Sequence, residues 1–170
     1  MGRGSYSNRL TVEECETITT SFLNKHKYFD GGVYLGELAW RLNGEKTGSI
    51  VIVVSTVENK EYIRFLYVQT NRGTSEKTEL DYIARLESTP CYFGGRRWWF
   101  SCTLITNGRV CGRRVGSLHL AGSEYFGCRH CHNLTYKSCK ENHHFDAYLK
   151  RKGIDPKRFN QSLKRIKRKG

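Results

Sequence analysis

Four cysteines constrain this chain more than anything else in it. Cys102 and Cys111 are separated by eight residues, Cys128 and Cys131 by two, and sixteen residues lie between the pairs. Thiols at such spacings hold a metal, pair as disulfides, or serve as small hydrophobes in a core. The total of seven cysteines is odd, and "MGRGSYSNRL" lacks the apolar run of an export signal. Both facts weigh against a disulfide framework and for reduced thiols in a cytoplasmic protein. Zinc bound by four thiolates wants a tetrahedron, and tight turns supply two ligands each. The chain reverses within Cys128-x2-Cys131, and Gly112 directly after Cys111 suits a turn with positive φ. "TLITNGRV" must then loop out as an elongated knuckle.

The expectation is one structural Zn2+ on Cys102, Cys111, Cys128 and Cys131, at the centre of a zinc ribbon. Four thiolates leave no open position for water, so the metal is not expected to be catalytic. His130, His132, Cys91 and Cys139 stand as alternative ligands. A thioredoxin-like redox pair is the other reading of Cys128 and Cys131, but no βαβ unit surrounds them.

Charge divides the chain. Residues 1–90 carry 11 Lys and Arg against 12 Asp and Glu, whereas residues 91–170 carry 18 against 4. The entire net charge of +13 therefore belongs to the half that holds the cysteine quartet. A basic half beside a neutral one points to a polyanionic partner, with a solvated basic surface as the plainer alternative. No apolar run reaches the length of a membrane span, so no membrane partner is expected.

Hydrophobic patterning predicts an α+β protein in three parts: a small antiparallel β-sheet domain over 1–90, a zinc ribbon over 91–139 and a basic helical tail over 140–170. "TVEECETI" reads as a helix start. Thr11 and Glu14 have capping-box spacing, while Val12, Cys15 and Ile18 recur at helical intervals, which makes Cys15 a core residue. "ELAWRL", "GSIVIVVSTV", "YIRFLYVQT" and "DYIARLEST" read as a four-stranded meander. Ile50, Ile52 and Val54 alternate with Val51, Val53 and Ser55, so this strand is expected to be central and buried on both faces. "RRWWFSCTL" and "RRVGSLHL" read as the ribbon's first two strands and "YFGCRHCHNLTY" as a third, ending in a tight turn. In the tail, "NHHFDAYLKRK" reads as a helix stopping at Gly153. A second begins with Asp155 as N-cap and Pro156 at the first helical position, with Phe159, Leu163 and Ile166 as its apolar stripe.

Arg96-Arg97-Trp98-Trp99-Phe100 on a strand sends Trp98 to one face with Phe100 and Trp99 to the other with Arg97. One indole is expected to pack inward while the other lies open beside an arginine, as a base-stacking platform with a phosphate contact. The plainer reading puts both indoles in a core between sheet and ribbon. Arg113, Arg114 and Arg129 neighbour the zinc ligands and would be held rigidly, which suits phosphate or guanine contacts. Lys157, Arg158, Lys164, Arg165, Lys167 and Arg168 of the last helix read as phosphate contacts. The candidate nucleic-acid surface thus comprises these residues with Arg96, Arg97 and Trp99.

"GGRRWWFSC", "CGRRV" and "CRHCHNLTY", with "MGRGS" and "TVEEC" near the N-terminus, resemble a group of small uncharacterised bacterial proteins associated with phages, plasmids and other mobile elements. The similarity runs to about Cys139. It implies the same zinc-ribbon half with the same four cysteines, and brings no activity with it.

The expected function is zinc-dependent binding of DNA or RNA, as an accessory or regulatory factor of a mobile element. Two alternatives remain. A protein-binding regulator, such as an inhibitor of host defence, would dock its partner on the N-terminal sheet. A metal-dependent nuclease would use His143, His144 and Asp146, although no carboxylate cluster completes such a site.

Overall fold

The computed structural model describes residues 9–70, 75–140, 144–159 and 161. They are mostly antiparallel sheet with a few short helices. Two compact units separate: Asn8–Thr135, and Tyr136–Gly170 together with the first seven residues.

In the first unit a 3-10 turn, Val12–Glu14, leads into β1 (Glu16–Thr19) and the short α1 (Thr20–Lys25). A meander follows: β2 (Val33–Leu42), β3 (Glu45–Val57), β4 (Lys60–Thr70), β5 (Lys77–Pro90) and β6 (Arg96–Ser101). Beyond it come the small hairpin β7 (Ile105–Thr106) and β8 (Arg109–Val110), then β9 (Arg114–Val115) and β10 (Ser117–Leu120). One sheet runs β2-β3-β4-β5-β6-β9, while β1 pairs with β10 and β7 with β8. The sheet passes without a break across residue 90, because β5 and β6 pair from Leu86 opposite Phe100 to Pro90 opposite Arg96.

The meander forms as its sequence dictates. Asn43-Gly44, both at positive φ, turns β2 into β3. Period-two alternation then sends Ile50, Ile52, Val54, Ile63, Phe65, Ala84, Leu86, Trp98 and Phe100 to one face, where all are buried. Ile18 of β1, Leu23 of α1 and Leu118 of β10 complete that core. Thr19 caps α1, its hydroxyl accepting from the Phe22 N–H at 3.0 Å.

Five expectations need correction. The helix over "TVEECETI" is a single 3-10 turn, after which the chain extends as β1. The Glu14 carboxylate does accept from the Thr11 N–H at 2.8 Å, but β-branched Thr17-Ile18-Thr19 pairs with β10, where Ile18 meets Leu118. Cys15 is accordingly half-buried, its thiol donating to the Thr11 carbonyl at 3.3 Å, rather than part of the core. β3 is interior to the sheet, but its second face is buried only in part: Val51 is 40% exposed and Val53 half-buried, whereas Ser55 is buried. "RRVGSLHL" is two strands: it divides at Gly116, and β9 joins β6 while β10 joins β1. "YFGCRHCHNLTY" forms no strand, only isolated bridges from Gly127 to His119 and from Thr135 to Thr11.

In the second unit, α2 (Lys137–Lys140) and α3 (His144–Arg151) are short. Helix α3 ends as expected at Gly153. The Ile154 N–H reaches the Leu149 carbonyl at 2.9 Å and the Gly153 N–H that of Lys150 at 3.0 Å, a Schellman closure. Asp155 acts as N-cap, its carboxylate accepting from the Lys157 N–H at 2.9 Å. Leu163, Lys164, Arg165, Ile166, Lys167 and Arg168 lie outside the described residues, as does His143.

Phe126 joins the core to the segment carrying Cys128. Fully buried, it stacks on Phe65 at 5.4 Å and on Trp40 at 6.0 Å between ring centroids. Its N–H donates to the Tyr82 hydroxyl at 2.8 Å. Phe126→Ala is expected to cost about 3–5 kcal/mol of unfolding free energy, read as a lowered denaturant midpoint by tryptophan fluorescence. An unchanged midpoint would mean that these rings do not support the fold.

Candidate metal centre and basic face

The two cysteine pairs converge because each arm is a backbone-bonded turn. Cys102 directly follows β6, with its N–H donating to the Arg113 carbonyl at 3.0 Å and its carbonyl accepting from the Gly112 N–H at 3.0 Å. Between Cys102 and Cys111 the chain is no slack loop. β7 and β8 pair across an Asn107-Gly108 turn with φ of 54° and 73°, as a type I′ turn requires. The Cys111 N–H then closes the hairpin on the Leu104 carbonyl at 2.8 Å. Gly112, at φ 58°, has the left-handed conformation expected of it.

In the second arm the Cys128 N–H donates to Cys102 Sγ at 3.3 Å, and the Cys131 N–H donates to Cys128 Sγ at 3.5 Å. The Leu134 N–H returns to the Arg129 carbonyl at 2.9 Å. Gly127 permits this close approach: a Cβ there would lie 2.1 Å from Leu104 Cδ1 and 2.8 Å from His132 Nε2.

All four Sγ atoms lie within 4.8 Å of one another. Cys102 to Cys131 and Cys111 to Cys128 are each 3.9 Å. A tetrahedral ion about 2.3 Å from each sulfur sets the sulfurs roughly 3.8 Å apart, whereas a disulfide needs about 2.05 Å. The cysteines are free, and the cluster fits a metal ion. Four sulfur donors saturate a tetrahedral ion, leaving no position for substrate or water. Burial pushes the Cys102 and Cys131 thiols up. Burial also opposes ionisation of Cys128, but the backbone N–H groups of Cys131 and His130 aimed at its sulfur outweigh that and bring its thiol down. Thr106 Oγ1 donates to Cys131 Sγ at 3.5 Å and Arg113 Nη1 to Cys128 Sγ at 3.8 Å.

The alternative ligands stay outside the cluster. Cys91 and Cys139 are exposed. His130 is exposed and lines a shallow depression with Arg109 and Arg113, and His132 is half-buried. Sequence reasoning passed over His119, a lone histidine among leucines without a spacing signal. It is buried beside the second arm, exchanging backbone hydrogen bonds with Gly127 at 2.8 and 2.9 Å. Its ring meets Thr17 Oγ1 at 2.8 Å and Ser117 Oγ at 3.3 Å. Burial holds it below the ordinary histidine range, the repulsion of His132 and Arg129 adding to the effect.

The tryptophan pair divides as strand alternation requires. Trp98 is buried and stacks on Phe29 at 5.0 Å. Trp99 sits half-buried on the solvent face, its Nε1–H donating to Thr89 Oγ1 at 3.0 Å. It is not a bare platform: the Arg97 guanidinium lies 4.2 Å from its ring centroid and that of Arg114 5.6 Å. Both distances suit cation–π contact. Arg96, Arg97, Arg113 and Arg114 are exposed and Arg129 is half-buried. Lys157 and Arg158 are exposed in the other unit. Sequence reasoning also missed Tyr92 and Phe93, aromatic and 96% exposed in the β5–β6 turn; turn residues carry no periodicity to flag them.

Comparison with family models, curated proteins and solved structures yields no match to this chain. No helix among the described residues is long and apolar enough to cross a membrane.

Metal analysis of protein purified under reducing conditions is expected to give one ion per chain. Serine at Cys102, Cys111, Cys128 or Cys131 is expected to drop this below half an equivalent, with no change for Cys91→Ser, Cys139→Ser or His132→Ala. Retention in Cys111→Ser together with loss in His132→Ala would replace the ligand set.

Proposed function

We propose that this protein is a zinc-ribbon nucleic-acid-binding protein in which Cys102, Cys111, Cys128 and Cys131 hold one structural Zn2+. The donor set supports zinc, since tetrahedral four-thiolate coordination with no open position is its structural form. When bound, the ion supplies fixed geometry and no chemistry of its own. An accessory role in a mobile element is the setting that the resemblance implies.

The observation that carries the reading is the Arg97–Trp99–Arg114 stack on the solvent face, beside the strand end that supplies Cys102. Neither arginine has a carboxylate partner among the described residues. Guanidinium groups ordered against an indole lose little freedom on meeting a phosphate, and their planar fork matches its oxygens. The tail adds seven Lys and Arg within residues 155–170, suited to sequence-independent phosphate contacts.

A protein partner is a second reading, favoured by Val33, Leu35 and Ile83, which are 59%, 74% and 53% exposed on the sheet's outer face. Leu35→Glu separates the two, because it would disrupt an apolar protein contact while leaving the Trp99 region intact.

In fluorescence anisotropy the zinc-loaded chain is expected to bind labelled DNA or RNA with strongly salt-dependent affinity. Arg97→Ala and Arg114→Ala are each expected to weaken binding and lower the salt slope by about one. With Mg2+ or Mn2+ present the nucleic acid is expected to stay uncut. Absence of binding at low salt would overturn the reading, and cleavage lost on His144→Ala would make the protein a nuclease.

A further inference from the structure

We propose that the tip of the β5–β6 hairpin, Tyr92 and Phe93, is a base-stacking element and that the ligand it recognises is an unpaired nucleotide strand. The proposal rests on the nucleic-acid reading above and adds the part of the molecule that meets bases rather than phosphates.

The hairpin is a defined structure. Its last strand pair is Pro90 with Arg96. The Gly94 N–H donates to the Cys91 carbonyl at 3.1 Å, and the Cys91 N–H to the Gly95 carbonyl at 3.1 Å. Gly94 and Gly95, at φ 86° and 79°, let the chain return into β6. Tyr92 and Phe93 therefore hold the two central positions of a β-turn. Proteins ordinarily fill these with proline, glycine or small polar residues, which suit the turn's dihedrals or hydrogen-bond its backbone. Here both are aromatic and 96% exposed, their rings 5.1 Å apart and perpendicular. Nothing in the fold is stabilised by burying them.

Their chemical surroundings select the ligand. Between Glu87 and Glu124 the sequence has five arginines and no Asp or Glu. Arg96 and Arg97 begin the strand that leaves the tip after Gly94-Gly95, and Arg97 is ordered on Trp99. Behind the two open rings, one face of β6 carries the Trp99 indole flanked by Arg97 and by Arg114 of β9. A strand laid along it meets π-faces at the tip and guanidinium groups behind it, the combination that binds single strands with little sequence preference. A duplex conceals its π-faces except at its ends, so the tip favours unpaired bases. A lipid surface shares the anionic chemistry, but two rings bury too little to hold a membrane stably.

The test uses the full zinc-loaded chain with labelled dT and rU oligonucleotides, a blunt DNA duplex and phosphatidylglycerol vesicles. Tyr92→Ala and Phe93→Ala are each expected to lower single-strand affinity about tenfold, leaving zinc content and salt slope unchanged. Duplex affinity should move little, and Phe93→Trp should retain binding, with its new fluorescence quenched by the single strand. The dT and rU arms tell DNA from RNA. Alanine variants that bind single strands like the wild type overturn the proposal while nucleic-acid binding stands. Equal losses on duplex and single strand overturn it in favour of a duplex wedge, and a loss confined to vesicles overturns it in favour of a lipid surface. A wild-type chain that binds no nucleic acid fails the underlying reading instead.

Discussion

Four sulfurs must meet at one point, and most of the first unit is arranged so that they do. Cys102 is delivered by the end of β6, Cys111 by the return of the β7–β8 hairpin, and Cys128 and Cys131 by a turn that leaves the core at Phe126. The arms lock before any ion is considered, since the Cys128 N–H already donates to Cys102 Sγ at 3.3 Å. Neutral thiols tolerate that spacing, but four thiolates within 4.8 Å repel one another strongly. A divalent cation turns the repulsion into attraction, and in small zinc domains this contributes on the order of 10 kcal/mol to folding. β9 is held to β6, and β7 to β8, by two residue pairs each, so both are elements that such a tie would steady.

Charge around the cluster follows from the same constraint. A divalent ion with four thiolates carries two net negative charges, which nearby donors must offset. Arg113 already donates to Cys128 Sγ, 3.8 Å away, so an arginine that sequence position marks for nucleic acid also contacts the cysteine cluster. Arg97 and Arg114 turn to Trp99 instead and keep their outer faces in water. Acidic groups gather elsewhere: Glu14, Glu16, Glu76 and Glu124 line a cavity of about 720 Å³. Burial there raises the Glu16 carboxyl above the usual carboxylate range.

What the sequence makes legible is what local rules govern. Spacing identifies the cysteine quartet, strand alternation separates Trp98 from Trp99, and capping chemistry marks Gly153 and Asp155. What it conceals depends on distant partners. β1 pairs with β10 across about a hundred residues, and nothing in "ETIT" names its partner. The Thr11–Glu14 cap is real, but one 3-10 turn satisfies it, so it cannot reveal that no helix follows. The eight residues between Cys102 and Cys111 read as slack because a hairpin with two-residue strands is too short to show a period. Tyr92 and Phe93 escape for a related reason: exposure in a turn leaves no pattern, and only coordinates reveal that both rings lie open.

β6 shows why the cysteine cluster and the sheet are one structure. Its inward residues, Trp98 and Phe100, fill the core, its outward Arg97 and Trp99 make the basic face, and the residue after it, Cys102, belongs to the cysteine cluster. A slip of one residue against β5 would exchange the faces, burying Arg97 and exposing Trp98, and would carry Cys102 away from the other three sulfurs. The pairing of Leu86 with Phe100 and Glu87 with Trp99 is thus held from two sides. Apolar burial fixes which face is inward, and the convergence of the four sulfurs fixes where the strand must end. The presentation of Arg97 on Trp99 is therefore coupled to the cysteine cluster through the backbone of β6.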